Sequence, residues 1–327
     1  ISGLVPLAGS AQSRTELLLG QSAVLSGPLS EQVRQFNDGA RLVFDQVNAA
    51  GGVMGRRLRL ASIDDQLQPD KAVAAVRELL RQKAVALFGC VGTPTTSAIE
   101  PLLRDSGVPA IGGYAVADSV RRKCRGAAYF VRAGYGREAQ ALAQHIATVG
   151  LRRIAVAHLA NGGGEEALKQ LQEAFGALDI EVLVSTAVTT DGANFSEPAK
   201  KIGALKPDAV VMFLGGPLAA GLMDALGGLG VHPTYYGLSI VAGEQVAAKL
   251  GARARGLVLS QTMPYPWHPS EPAALDFRRL AQAAKLPVGY VSFEGYVTAR
   301  VMVEAADPKQ VEEFTTRIAG AIEREIG

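Results

Sequence analysis

Residues 17–65 read LLLGQSAVLSGPLSEQVRQFNDGARLVFDQVNAAGGVMGRRLRLASIDD, and this stretch decides the fold. Leu17 to Leu25 is a mostly apolar run of strand length, ended by Ser26-Gly27-Pro28. Phe36, Ala40, Val43, Phe44 and Val47 then recur at spacings of three and four, which places them on one face of a helix. Gly51-Gly52 stops that helix, as glycine does at a C-terminal cap. Leu58 to Ile63 reads as a second strand, with Leu58 and Leu60 on one face and Arg59 on the other. Asp64-Asp65 follows. Pro69-Asp70 opens the next helix, where proline fits the first turn and an acid suits the positive end of the dipole.

The same beat continues outward from this unit. Ala84 to Phe88 reads as a strand, Thr95 to Leu103 as a helix and Val108 to Ile111 as a strand. A second series runs through Ile154 to Ala157, a helix from Glu165 to Phe175, Ile180 to Ala187, a helix around Glu197 to Ile202, and a buried strand from Ala209 to Phe213. Strands alternating with helices predict βαβ units, hence an α/β fold with parallel sheets covered on both faces and right-handed connections. One series ends near Arg132 and the other begins near Arg153, which predicts two similar lobes.

The chain has 327 residues, and its 48% hydrophobic content supplies a core for two lobes. With 33 basic and 31 acidic side chains the net charge is only +2, too weak a field to hold nucleic acid or an anionic membrane. Two cysteines cannot staple a chain of this size, which excludes a disulfide scaffold. No run of about 18 apolar residues is present to span a bilayer. Gly9-Ser10-Ala11 resembles the small-residue end of a secretory signal, while Ser2-Gly3-Leu4-Val5-Pro6 reads equally as linker, so residues 1–15 are set aside as a leader or linker remnant. A lipid-anchored form requires a cysteine near the start, and the cysteines are Cys90 and Cys124.

In open α/β sheets ligands sit beyond the carboxyl ends of the strands. The loops there are Ser26-Gly27-Pro28, Gly89 to Thr95, Gly112-Gly113-Tyr114-Ala115, Asn161 to Gly164, Leu214 to Pro217 and Gly237-Leu238-Ser239. They are rich in glycine and hydroxyls and nearly free of charge. Thr93 and Thr95 to Ser97 stand where a helix starts, an arrangement suited to a carboxylate, although the same residues serve simply as caps. Phosphate-loop, HExxH, CxxC and GxSxG motifs are absent, and His145, His158, His232 and His268 lack metal-ligand spacing. No enzyme, metal site or cofactor is expected. Gly227-Gly228-Leu229-Gly230 falls at the end of a helix and terminates it. Asp64 and Asp65 are read as capping and hinge structure. Cys90 follows a strand at the cleft and Cys124 lies among Arg121, Arg122, Lys123 and Arg125; a disulfide between them, separate thiols, and a reactive thiolate beside the arginines all stay open.

These segments resemble the type I periplasmic binding proteins, in the branched-chain amino-acid-binding branch that feeds ABC importers. The resemblance rests on Leu25-Ser26-Gly27-Pro28, Asn37-Asp38-Gly39-Ala40 and Val47 to Gly55, then Asp64-Asp65 with Pro69 and Ala72, and Phe88 to Thr93. Arg152 to Val156, Lys206 to Val211 and Glu294-Gly295-Tyr296 extend it, so that it covers roughly Glu16 to Ala306. It implies two Rossmann-like lobes joined by three crossovers that close over a small ligand. Lobe 1 is then 16–133 plus about 262–306, and lobe 2 is 134–261 plus 307–327, with a terminal helix over Val311 to Ile326.

By resemblance, Thr93 with Val91 and Gly92 holds a ligand carboxylate, and Ala115 supplies the next loop contact. Ser239 stands where an acidic residue usually takes the ligand ammonium, and Gly215 and Gly216 stand where an aromatic side chain is usual. Tyr114 and Tyr135 are expected as walls, and Gln32 and Gly163 complete the candidate set. A buried ammonium without a carboxylate is costly, so the expected ligand is a small carboxylate without an amine, with added room over the two glycines. The implied protein is a monomeric periplasmic receptor that delivers its ligand to an ABC permease. An amino-acid-binding protein and a ligand-sensing module for a signalling partner are the alternatives.

Overall fold

The computed structural model describes residues 15–304. The leader segment before Thr15 and the terminal helix expected over Val311 to Ile326 lie outside the described residues.

The first lobe begins with β1 (Glu16–Ala23), α1 (Ser30–Ala49), β2 (Arg57–Asp64), α2 (Pro69–Arg81) and β3 (Ala86–Phe88). It continues through α3 (Thr93–Ser106), β4 (Ala110–Ile111), α4 (Asp118–Lys123) and β5 (Ala128–Tyr129). The chain crosses over and builds α5 (Tyr135–Thr148), β6 (Arg153–Leu159), α6 (Gly162–Gly176), β7 (Glu181–Val188), α7 (Ser196–Leu205), β8 (Ala209–Phe213), α8 (Gly216–Gly228), β9 (Thr234–Gly237), α9 (Gly243–Leu250) and β10 (Val258–Leu259). The last described elements are α10 (Pro272–Ala283) and α11 (Tyr290–Glu304). The two sheets have the orders β2-β1-β3-β4-β5 and β10-β9-β8-β6-β7, and every pairing is parallel. The α/β reading with two parallel-sheet lobes holds.

Local chemistry explains the elements. Every residue of β8 is buried, as a central strand covered on both faces requires. The apolar stripe of α1 faces inward with Val33, Phe36, Ala40 and Val43, and α11 packs across it. That crossing is close because of two glycines: a side chain at Gly39 would strike the backbone of Ser292, and one at Gly295 the backbone of Phe36. Asn37 earns its place by pairing with Gln21 of β1, amide to amide, at 2.8 and 2.9 Å, so two buried polar groups satisfy each other. Gln21 also donates to the Gly89 carbonyl at 3.1 Å, which ties the cleft ends of β1 and β3 together.

Several element bounds shift from expectation, the strand expected over Val108 to Ile111 shortening to β4 for one, and two shifts have a clear local cause. The expected strand from Ala84 shortens to β3, because Lys83 adopts a left-handed turn (φ 63°) and the Ala84 N–H still bonds the Leu79 carbonyl at 3.0 Å. The helix expected from Thr95 starts at Thr93 and runs past Pro101 to Ser106, where Gly107 (φ 68°) ends it. A disulfide is not formed. Cys90 and Cys124 are free, buried thiols that pack as small apolar side chains in the first lobe's core with Leu87, Leu103 and Val120. Burial raises both, Cys90 to about 12, so neither is a poised thiolate.

Candidate functional site

Facing loops at the carboxyl ends of β3 and β4 in one lobe and β6 and β8 in the other enclose a cleft. Its walls are Leu29, Gln32 and Val33 of the α1 segment, Val91 to Pro94 at the start of α3, Tyr114 and Ala115, and Leu67. Val24, Tyr135, Leu159, Asn161, Gly163, Phe213 and Ile240 complete it. None of the described residues lining it is charged. The enclosed space is ≈ 30 Å³, about a tenth of an ordinary ligand cavity. The lobes are therefore drawn together, and their contacts agree. The Gln32 side-chain amide donates to the Ile240 carbonyl, and the Gln245 amide donates to Gln35 at 3.1 Å. The Ser119 N–H donates to the Glu166 carboxylate at 2.8 Å.

The polar groups of the cleft are few and mostly committed. Thr93 Oγ1 accepts from the Ala117 N–H at 3.0 Å, donates to the Ala115 carbonyl at 3.3 Å and lies 3.5 Å from the Tyr135 hydroxyl. Burial raises the Tyr135 phenol, so it stays a neutral donor or acceptor. Asn161 caps α6 by accepting from the Gly164 N–H at 3.0 Å. The first turn of α3 leaves backbone N–H groups without intrahelical partners, aimed at the cleft end of the helix. The donors that face the cleft at this end are the amides at the start of α3 and hydroxyls, and no cationic side chain is among the described lining residues.

Eight of the ten sequence-nominated residues line this cleft: Gln32, Val91, Gly92, Thr93, Tyr114, Ala115, Tyr135 and Gly163. Gly215 and Ser239 do not. The room expected over Gly215 is already filled: a side chain there would strike Leu29 and come 3.2 Å from Gln32 Oε1, both from the opposite lobe. Gly216 is closed off by Gln245 and the Val241 carbonyl. Ser239 is spent on a buried ionic cluster. Its hydroxyl accepts from Arg132, and its N–H donates to Glu138 Oε2 at 2.7 Å, which also accepts from the Ser260 hydroxyl at 2.7 Å.

Arg132, at the first crossover, sits between Glu138 of α5 at 3.7 Å and Glu294 of α11 at 3.5 Å, all three buried. Its guanidinium lies over the Tyr114 ring, 4.6 Å from the ring centre. Burial raises the Glu294 carboxyl even though Arg132 opposes it. Burial acts against the charge on Arg132 as well, but Glu294, Tyr114 and Glu138 together hold it above the ordinary range. The cluster ties the first crossover to α5 and α11, with Tyr114 of the cleft wall packed over the guanidinium.

Leu29, Leu67, Asn161, Phe213 and Ile240 were not nominated from sequence. The loop positions of Asn161 and Phe213 were a usable signal; Leu29, Leu67 and Ile240 reach the cleft through backbone geometry that periodicity does not encode. His158 is buried within β6 and keeps its ring beside the Leu159 carbonyl, outside the cleft lining.

A family model described as periplasmic binding protein matches residues 17–316. The chain belongs to the periplasmic binding protein family. Within it the chain is a type I member of the Leu/Ile/Val-binding branch. It is 23% identical over 97% of its length to the Leu/Ile/Val-binding protein BraC3 of Rhizobium johnstonii, covering 86% of that protein. Among solved structures, a substrate-binding periplasmic protein from Ralstonia solanacearum matches with a TM-score of 0.83 at 27% identity, over 89% of this chain and 84% of that one. An ABC-transporter solute-binding protein from R. palustris, solved with benzoate, matches with a TM-score of 0.80 at 20% identity, over 90% and 82%. Periplasmic binding proteins of this kind are solute receptors of ABC transporters. No helix among the described residues is long and apolar enough to cross a membrane.

Proposed function

We propose that this chain is the periplasmic receptor of an ABC importer for a small organic carboxylate without an amine, aliphatic or aromatic. The observation that carries this reading is the uncharged cleft lining beside the open amide end of α3. A carboxylate finds backbone donors there. An ammonium finds no acid: Ser239 occupies the position in question and is turned onto Arg132 and Glu138. Stripping an ammonium of water without a counter-charge costs several kcal/mol, so α-amino acids are selected against. Tyr114, Tyr135 and Phe213 provide flat apolar walls for the remainder of the acid. The benzoate-bound relative is a precedent for such a ligand on this fold.

In this reading the ligand contacts are Thr93 with the amides of α3, Val91, Gly92, Tyr114, Ala115, Tyr135 and Gly163, and Gln32 closes the cleft onto Ile240. The receptor acts as a monomer that closes, docks on its permease and releases its cargo. The competing reading, a branched-chain amino-acid receptor, is favoured by the curated relative named above. Thermal-shift midpoints against paired ligands separate them: each α-amino acid beside its amine-free counterpart, with simple aromatic acids added. A ligand that binds the native state raises the midpoint through RT ln(1 + [L]/Kd). Stabilisation by the amine-free acids alone supports the proposal. Stabilisation by leucine or valine and not by their amine-free partners overturns the ligand class.

A further inference from the structure

We infer that Leu67 sets the upper size limit of the ligand, and that Asp65 holds it in place; the inference rests on the cleft being the binding site and deepens that reading. The β2–α2 loop carries two consecutive non-glycine residues in the left-handed region, Gln66 (φ 50°) and Leu67 (φ 59°). Few L-residues adopt this conformation singly, and consecutive pairs persist only where neighbours dictate them. Here two aspartates do so. Asp64 accepts from the Gln66 N–H at 3.0 Å, the Leu25 N–H at 2.9 Å and the Ser26 hydroxyl at 2.7 Å. Asp65, fully buried, accepts from the Leu67 N–H at 2.8 Å and the Ser22 hydroxyl at 2.7 Å, and its carbonyl takes the Gln68 N–H at 2.8 Å.

The result is a leucine aimed into the cleft, beside the start of α3. Gly92, the residue before that helix, has φ 99°, and a side chain on it would strike Leu67 Cδ1. Leu67 therefore occupies volume that a side chain at Gly92 would otherwise claim, next to the donors that receive a carboxylate. Most of the cleft wall comes from strand ends, helix starts and short loops whose backbone also builds the sheets. Leu67 stands on a loop fixed by side-chain carboxylates, so its bulk can change without moving a strand. Burial raises Asp65 while its two hydrogen bonds act in the other direction.

The experiment measures dissociation constants by calorimetry on the intact chain and on Leu67→Ala and Leu67→Phe, each first checked for a cooperative thermal transition. The probes are two size series: acetate, isobutyrate, benzoate and 2-naphthoate, and alanine, valine, leucine and phenylalanine. In whichever series the parent binds, Leu67→Ala improves the largest probe relative to the smallest by about tenfold or more, the scale on which apolar pockets discriminate. Leu67→Phe shifts the same ratio in the opposite direction. Asp65→Ala moves the ratio the way Leu67→Ala does, which a role confined to stability would not. If Leu67→Ala fails to fold, Leu67→Gly, which suits the positive φ, replaces it. Ratios unchanged in both folded Leu67 variants overturn the inference while leaving the receptor reading intact. Binding confined to the amino-acid series overturns the ligand class and leaves the Leu67 test standing. A parent chain that binds neither series overturns both.

Discussion

Replacing Arg132 by Met removes the one cation from a buried cluster that holds a carboxylate from each lobe. Glu138 keeps the Ser239 N–H and the Ser260 hydroxyl, so its loss is partial. Glu294 loses the one ion pair it makes among the described residues and keeps only the weaker influence of Arg121. Breaking a buried pair by deleting one partner costs about 3–5 kcal/mol. Arg132 Nε and Nη1 make no hydrogen bond, and the ion pairs are longer than direct bonds, so the expected loss lies at the low end, about 3 kcal/mol at pH 7.5. It should depend on pH in a definite direction. The Glu294 carboxyl is already raised by burial, with Arg132 acting to lower it; without Arg132 it rises further. A folded-state pKa above the unfolded value means that the native state binds the extra proton. Its contribution is therefore fully present below the unfolded pKa of about 4.3 and is lost as pH rises through the folded pKa. The deficit of the variant should shrink on acidification from pH 7.5 to 5, by up to about 1.4 kcal/mol for each pH unit over which only the unfolded state is ionised. Urea unfolding followed by the fluorescence of the single tryptophan, Trp267, measures it. Adding Glu294→Gln should recover part of the loss and flatten the pH dependence. A deficit below about 1 kcal/mol at pH 7.5, or one that grows on acidification, would refute the reasoning.

Gly215→Ala places a methyl group against Leu29 only when the lobes are together. Ligand affinity should fall by about tenfold, the scale of a modest overpacking cost, while the ligand-free melting temperature stays within about 2 °C; an unchanged affinity refutes the closure contact. Ellman's reagent should find essentially no reactive thiol in the native chain and both of its two cysteines after denaturation without reductant. A denatured count near zero would mean that the bridge exists after all.

The fold was legible because its period was. The three-and-four spacing of α1 reads as a helix, and five consecutive apolar residues of strand length read as β8, which the structure reproduces to the residue. Short elements were lost: β5 and β10 are two residues long, and no alternation can be seen in two residues. Most of the cleft was found because loops after strands are few and glycine-rich. Ser239 and Gly215 fall outside the cleft lining because sequence gives the position in the loop and not the occupant of the space beside it, which comes from Arg132 and from Leu29 on distant segments. Leu67 was missed for a related reason. Its direction follows from a left-handed backbone imposed by Asp64 and Asp65, and those two residues had been read as capping and hinge structure.

The glycine-to-backbone crossing of α1 and α11 has a consequence for the order in which the molecule assembles. The second sheet draws on one unbroken stretch, from β6 to β10, and can form as soon as that stretch has emerged. The first helix, by contrast, waits for a partner more than two hundred residues away, Ser292 meeting Gly39 and Gly295 meeting Phe36. Its side chains Phe36 and Phe44 pack early on Phe88 of β3, while the face that carries Gly39 is bare until α11 is made, and the cost of closing so long a loop is met then. Among the described residues, the half made first thus waits for the last helix made, and substitutions at Gly39 or Gly295 should act on that long-range docking rather than on the second sheet.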